Sequence, residues 1–74
     1  MEDSKMIDVI GTNAGIIWQT LSESEEGMTV KEIQKESGIR TQNEIYMALG
    51  WLAREGKVEF SGEGKDLKVI LVIL

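Results

Sequence analysis

Apolar residues recur every three or four positions through the first part of the chain. Met6, Ile7, Ile10, Ala14, Ile17, Trp18 and Leu21 fall on one face at about 100° per residue. Val9 and Ile16 widen that face well past the stripe of somewhat over 100° that a surface helix needs. The spacing predicts a helix over about 5–23, closed by a loop at Glu25-Glu26-Gly27. A second helix is predicted over about 29–37, with Val30, Ile33 and the following Ile39 as its short buried face. Thr29-Val30-Lys31-Glu32 has the form of a capping box, in which hydroxyl and carboxylate each satisfy an orphan backbone N–H. Ser37-Gly38 stops the helix, glycine being the natural left-handed C′ residue. A third helix, over about 41–55, opens on another such box, Thr41-Gln42-Asn43-Glu44. Its inner stripe is Ile45, Ala48, Leu49 and Leu52, and Glu55-Gly56 ends it.

After Gly56 the period changes from helical to alternating. Lys57-Val58-Glu59-Phe60 reads as a half-buried strand, Ser61 to Asp66 as a turn, and Leu67 to Leu74 as a second strand. The hairpin covers about 57–74. Two short helices joined by a glycine-containing turn make a helix-turn-helix, and a hairpin directly after it makes a winged one. The expected fold is α+β, three helices followed by a two-stranded antiparallel hairpin, in one domain over residues 1–74. The residues themselves point the same way. Ser37-Gly38-Ile39, the run from Leu49 to Val58 (Leu-Gly-Trp-Leu-Ala-Arg-Glu-Gly-Lys-Val) and the run from Ile10 to Trp18 (Ile-Gly-Thr-Asn-Ala-Gly-Ile-Ile-Trp) resemble the winged helix-turn-helix superfamily. Together they look like a family of small stand-alone winged-helix proteins of bacteria and archaea, of unestablished function. That resemblance spans nearly the whole chain and rests mostly on packing residues. It implies a fold and hands over no active-site list.

Composition narrows the chemistry. The 74 residues include no Cys and no His, which removes disulfides, the usual zinc ligands and the conventional triad or thiol nucleophile. Carboxylate pairs such as Glu25 with Glu26 read as solvated surface charge. Gly62-x-Gly64-Lys65 lacks the spacing of a phosphate loop and is followed by a strand, so it reads as a wing turn. The expectation is a non-enzyme without metal, cofactor or small-molecule site. The longest apolar run, Val69 to Leu74, is far short of the roughly 20 residues that span a bilayer. The acidic start Met1-Glu2-Asp3-Ser4 is no signal peptide. A cytoplasmic protein with no membrane contact is expected.

Charge changes the picture of what is bound. The formal net charge is −5, and residues 1–27 hold six acidic residues against Lys5 alone. Residues 28–74 hold seven of each sign. Helix-turn-helix geometry would lead the third helix into a major groove by its N-terminal turn. Arg40, Gln42 and Asn43 there are suited to base edges. Lys31, Lys35 and Lys65, with Lys57 and Lys68, are candidates for phosphates. The lysines alternate with Glu32, Glu36, Glu59, Glu63 and Asp66, and Met47, Gly50 and Trp51 farther along the outer stripe favour packing over a groove. A possible double-stranded DNA partner therefore stands beside a second reading, a homodimeric interaction module that keeps the fold without binding nucleic acid. For the dimer the candidates are Val9 and Ile16 on helix 1, Met47 and Trp51 on helix 3, and Ile70, Val72 and Leu74 on the outward face of the last strand. Three aliphatics on a water-facing strand would form an exposed patch that needs cover. Gly11, Gly15 and Gly50, inside helices, either serve intramolecular packing or let another backbone come close.

Overall fold

The computed structural model describes the backbone of residues 2–72 and the side chains of residues 5–72. In chain order the elements are α1 (Glu2–Leu21), β1 (Met28–Thr29), α2 (Val30–Ser37), α3 (Gln42–Arg54), β2 (Val58–Ser61), a 3-10 turn at Gly64–Asp66, and β3 (Lys68–Leu71). All three predicted helices are present, α1 shifted toward the N-terminus and α2 and α3 trimmed by their caps. The sheet is the main departure from expectation. It has three antiparallel strands in the order β1-β3-β2 rather than two. The added strand is the pair just ahead of α2, with Met28 opposite Val69 and Thr29 opposite Lys68. Two residues are too short to show an alternating pattern, so sequence periodicity could not reveal them.

Local chemistry explains the helix ends. The Thr29 hydroxyl accepts from the Glu32 N–H at 3.2 Å, and the Glu32 carboxylate accepts from the Thr29 N–H at 2.9 Å. That is the full reciprocal box. At α3 only half of it forms. Thr41 Oγ1 accepts from the Glu44 N–H at 3.2 Å, but the Glu44 carboxylate takes the Thr41 hydroxyl at 3.1 Å instead of the backbone N–H. Gly38 stops α2 at φ 78°, its N–H donating to the Gln34 carbonyl at 3.0 Å.

The core lies between the helices and one face of the sheet. Its fully buried members are Ile17, Leu21, Ile33, Ile45, Leu49 and Val69. α1 packs chiefly on α3, and its buried positions lie in its second half. Ala14, Ile17 and Leu21 are buried, whereas Met6, Ile7 and Trp18 are 49%, 57% and 44% exposed. The predicted inner face of helix 1 is thus correct in phase and too long. Among the described side chains, residues 5–9 are all exposed, so the first turns of α1 form an exposed overhang.

The last strand is better covered than its pattern suggests. β3 is the central strand, paired on both edges, with Val58 opposite Leu71 and Phe60 opposite Val69. Ile70, expected to meet water, is half-buried against the loop that follows α1. Gly27 in that loop is buried at φ 87°, and a Cβ there would sit 2.8 Å from Ile70 Cγ1 and from the Val69 carbonyl oxygen. Only glycine both adopts that conformation and lets the loop close over the strand. Leu74, and Ile73 on the other face, lie outside the described residues.

Candidate nucleic-acid and partner surfaces

α3 presents different chemistry on its two flanks. On the wing side, Gln42 and Tyr46 face the 3-10 turn and the first turn of α2. A cleft of about 90 Å³ runs between these elements, with Lys31, Gln42, Tyr46, Gly64 and Lys65 in its lining. Of the residues singled out for nucleic acid, the fold therefore brings Lys31, Gln42 and Lys65 together. The capping box at Thr29 sets the start of α2 and so places Lys31. The glycine-bounded 3-10 turn carries Lys65 back toward α3.

Arg40 and Asn43 are exposed beside this cleft at the leading end of α3. The connection there is braced by Gln34, whose side-chain amide donates to the Arg40 carbonyl at 3.0 Å and whose oxygen accepts from Gln42 Nε2 at 3.5 Å. Lys35 stands apart, lining a separate depression with Glu23, Glu32 and Glu36. Lys68 pairs across the sheet with Thr29 and Ser61. Its charge also helps hold the Glu32 carboxyl below its ordinary range, although the hydrogen bond from the Thr29 backbone is the larger cause. Tyr46 was not among the predicted site residues. Helical phase puts it on the outer surface, but only the position of the 3-10 turn shows that it lines the cleft.

The other flank of α3 faces α1. Trp51 is 48% exposed and stands across from Trp18, with a groove of about 300 Å³ between them. Gly11, Ala14 and Gly15 line it from α1, Leu52 from α3, and Lys57 at its edge. Lys57 thus belongs to this groove and not to the wing cleft. Cβ atoms added at Gly11, Gly15 or Gly50 would meet nothing within 4 Å. Among the described residues, packing within the chain gives no reason for glycine at these three helix positions. Val9, Ile16 and Met47 are each 39% exposed. Val9 and Ile16 lie on the flank of α1 away from Trp18, by helical phase. Ile70 and Val72 are half-buried, the Val72 N–H donating to the Lys57 carbonyl at 2.9 Å. Among the described residues no group of acidic side chains is placed to hold a metal ion, and no helix is long and apolar enough to cross a membrane.

Comparison with known proteins agrees with this architecture. The chain is similar to the solution NMR structure of protein BT2368 from Bacteroides thetaiotaomicron, with 28% identity and a TM-score of 0.75. That match covers 86% of this chain and 76% of the other. No curated protein matches it. Residues 1–71 fit the family model described as a winged helix-turn-helix domain, DUF2582, and the chain belongs to that family.

Proposed function

We propose that this winged helix binds double-stranded DNA through the cleft between α3, the start of α2 and the wing turn. The observation that carries this reading is the convergence of Lys31, Gln42 and Lys65 on one cleft, beside Arg40 and Asn43 at the leading end of α3. Two ammonium groups flanking the leading end of α3 are suited to phosphates on either side of a groove, while amide and guanidinium groups are suited to base edges. The acidic excess belongs to α1 and its following loop, residues 1–27. The proposed face draws on the charge-balanced remainder. Fluorescence anisotropy with a random duplex at low salt tests the reading. Binding at micromolar protein that weakens steeply with salt is expected, because phosphate attraction is the first contribution to emerge. No binding under those conditions overturns it.

A second reading has its own support. Two half-exposed tryptophans flank an open groove, and the first turns of α1 carry exposed Met6, Ile7 and Val9. Exposed patches of this kind favour an interaction module that forms a homodimer. Light scattering decides it, since a monodisperse particle of 8.3 kDa at high concentration rules the dimer out.

A further inference from the structure

We propose that Gln42 reads an adenine in the bound duplex and that Gln34 is the positioning residue that sets the polarity of its amide. This rests on the DNA reading above and names the base that one residue of the same face selects.

Polarity originates at a backbone carbonyl. The Arg40 C=O can only accept, so the Gln34 group 3.0 Å from it is the amide N–H. The Gln34 oxygen is left for its other neighbour, where it accepts from Gln42 Nε2 at 3.5 Å. A glutamine amide carries two N–H donors on its nitrogen and accepts only at its oxygen. One Gln42 N–H is therefore engaged on α2, and the oxygen and the second N–H are left for a ligand. An acceptor beside a donor is the complement of adenine, which presents the N6 amino donor and the N7 acceptor in the major groove. Guanine presents two acceptors there, O6 and N7. It would need both N–H groups of the amide, and Gln34 holds one of them.

Gln42 is held at both ends. Its backbone opens α3 directly after Thr41, whose hydroxyl accepts from the Glu44 N–H at 3.2 Å and sets the helix start. Its amide is tied to Gln34, which is itself half-buried on α2. A side chain ordered before binding gives up less freedom on binding than a free one. The surroundings also suit a base-reading role. The N-terminal turn of the second helix is the part of a helix-turn-helix that meets base edges. Lys31 and Lys65 line the same cleft as Gln42, so phosphate contacts through them would fix the register at which Gln42 meets a base.

Selection of sites from a random duplex library by the full chain, followed by anisotropy titrations on the selected site, tests the assignment. The wild type should enrich an A·T pair at one position and bind that site about tenfold tighter than the same site with G·C there. Gln42→Ala should bring the ratio close to one. Gln34→Ala removes the acceptor and should lower the ratio toward that of Gln42→Ala. Gln34→Glu keeps an acceptor for Gln42 but cannot donate to the Arg40 carbonyl, and it should retain the A·T preference. Circular dichroism checks that each variant folds, and Gln42→Ala decides the reading even where a change at Gln34 does not. If Gln34 served only to brace the turn before α3, Gln34→Glu would lose as much as Gln34→Ala, and the polarity assignment would fall. A site without an A·T preference, or a preference that survives Gln42→Ala, overturns this inference and leaves the DNA reading standing. A wild-type chain that binds no duplex at low salt overturns both.

Discussion

The face of the molecule built around the wing and the face built around α1 satisfy themselves to very different degrees. On the wing face, local groups answer one another. Thr29 and Glu32 exchange hydrogen bonds, Gln34 braces the turn before α3, and the lysines stay in water. On the α1 face, side chains that cost free energy in water stay there, namely Met6, Ile7, Trp18 and Trp51. The contrast teaches that exposure has two meanings in so small a chain. Exposed charge on the wing face is ordinary solvation and must be tested for binding. Exposed apolar surface on the α1 face is unfinished burial, which the homodimer proposed as the second reading would complete.

The largest expected effect separates burial from exposure along α1 itself. Ile17 is fully buried and Ile7 is 57% exposed, though both were predicted to share one inner face. Ile17→Ala should lower unfolding stability by about 2–5 kcal/mol. Ile7→Ala should change it by no more than about 0.5 kcal/mol, when urea unfolding is followed at concentrations low enough for monomer. Comparable losses at both positions would mean that the overhang is packed against the domain, and the contrast between the faces would fail.

Next in size is the effect of reversing charge on the wing face. Lys31→Glu combined with Lys65→Glu should abolish low-salt duplex binding at micromolar protein, and each lysine singly changed to Ala should reduce the salt slope by about 1. Trp51→Ala, on the opposite flank of α3, should leave duplex affinity within about twofold, as expected for a residue that shares no partner with Lys31 and Lys65. Equal losses from both flanks would merge the two faces into one binding surface.

How much of this was legible beforehand depends on what kind of interaction decides each feature. The helices, their stops and the wing follow from local chemistry, and Thr29, Gly38 and the alternation at Val58 and Phe60 announce them. Strand β1 does not, because Met28 and Thr29 become a strand only when β3 lies beside them. The cover over Ile70 depends on left-handed Gly27, far from β3 along the chain: its conformation matters only once the loop and the sheet meet. Helical phase identified the apolar face of α1 but carried no information on where the underlying core ends. On the surface, Lys31, Gln42 and Lys65 were chosen by residue type, and the fold brought them to one cleft. Lys35 was chosen on the same grounds and went elsewhere, since residue type does not encode which elements converge.

A smaller effect distinguishes the two helix starts on the wing face. Thr29→Ala removes a full capping box and should cost about 1 kcal/mol or somewhat more. Thr41→Ala removes a cap whose reciprocal half is not made and should cost less, nearer the lower limit of about 0.5 kcal/mol. Paired thermal melts measure the order. A larger loss at Thr41 would show that the Glu44 carboxylate contributes through the hydroxyl it accepts as much as Glu32 does through the backbone.

The smallest effect is a pH dependence carried by Glu32, and its sign follows from the cap. The Thr29 backbone N–H donates to the Glu32 carboxylate and is the largest cause; desolvation opposes it, and the Thr29 side chain and the Lys68 charge add smaller contributions in the same direction as the backbone bond. The carboxyl is therefore held below its ordinary value in the folded chain. A group whose pKa is lowered by folding stabilises the fold at pH above its unfolded value. That contribution begins to fade as pH falls into the ordinary glutamate range and is gone below the lowered folded value. Glu32 is one of 13 acidic residues in the chain, so the wild type alone does not isolate its part. The difference in melting temperature between wild type and Glu32→Gln isolates it, because the amide is neutral throughout. That difference should be positive at neutral pH and shrink toward zero on acidification, and added salt should trim only the part due to Lys68. A difference that stays constant with pH would mean that the carboxylate charge adds nothing to the cap, and the self-sufficiency of the wing face would rest on neutral hydrogen bonds alone.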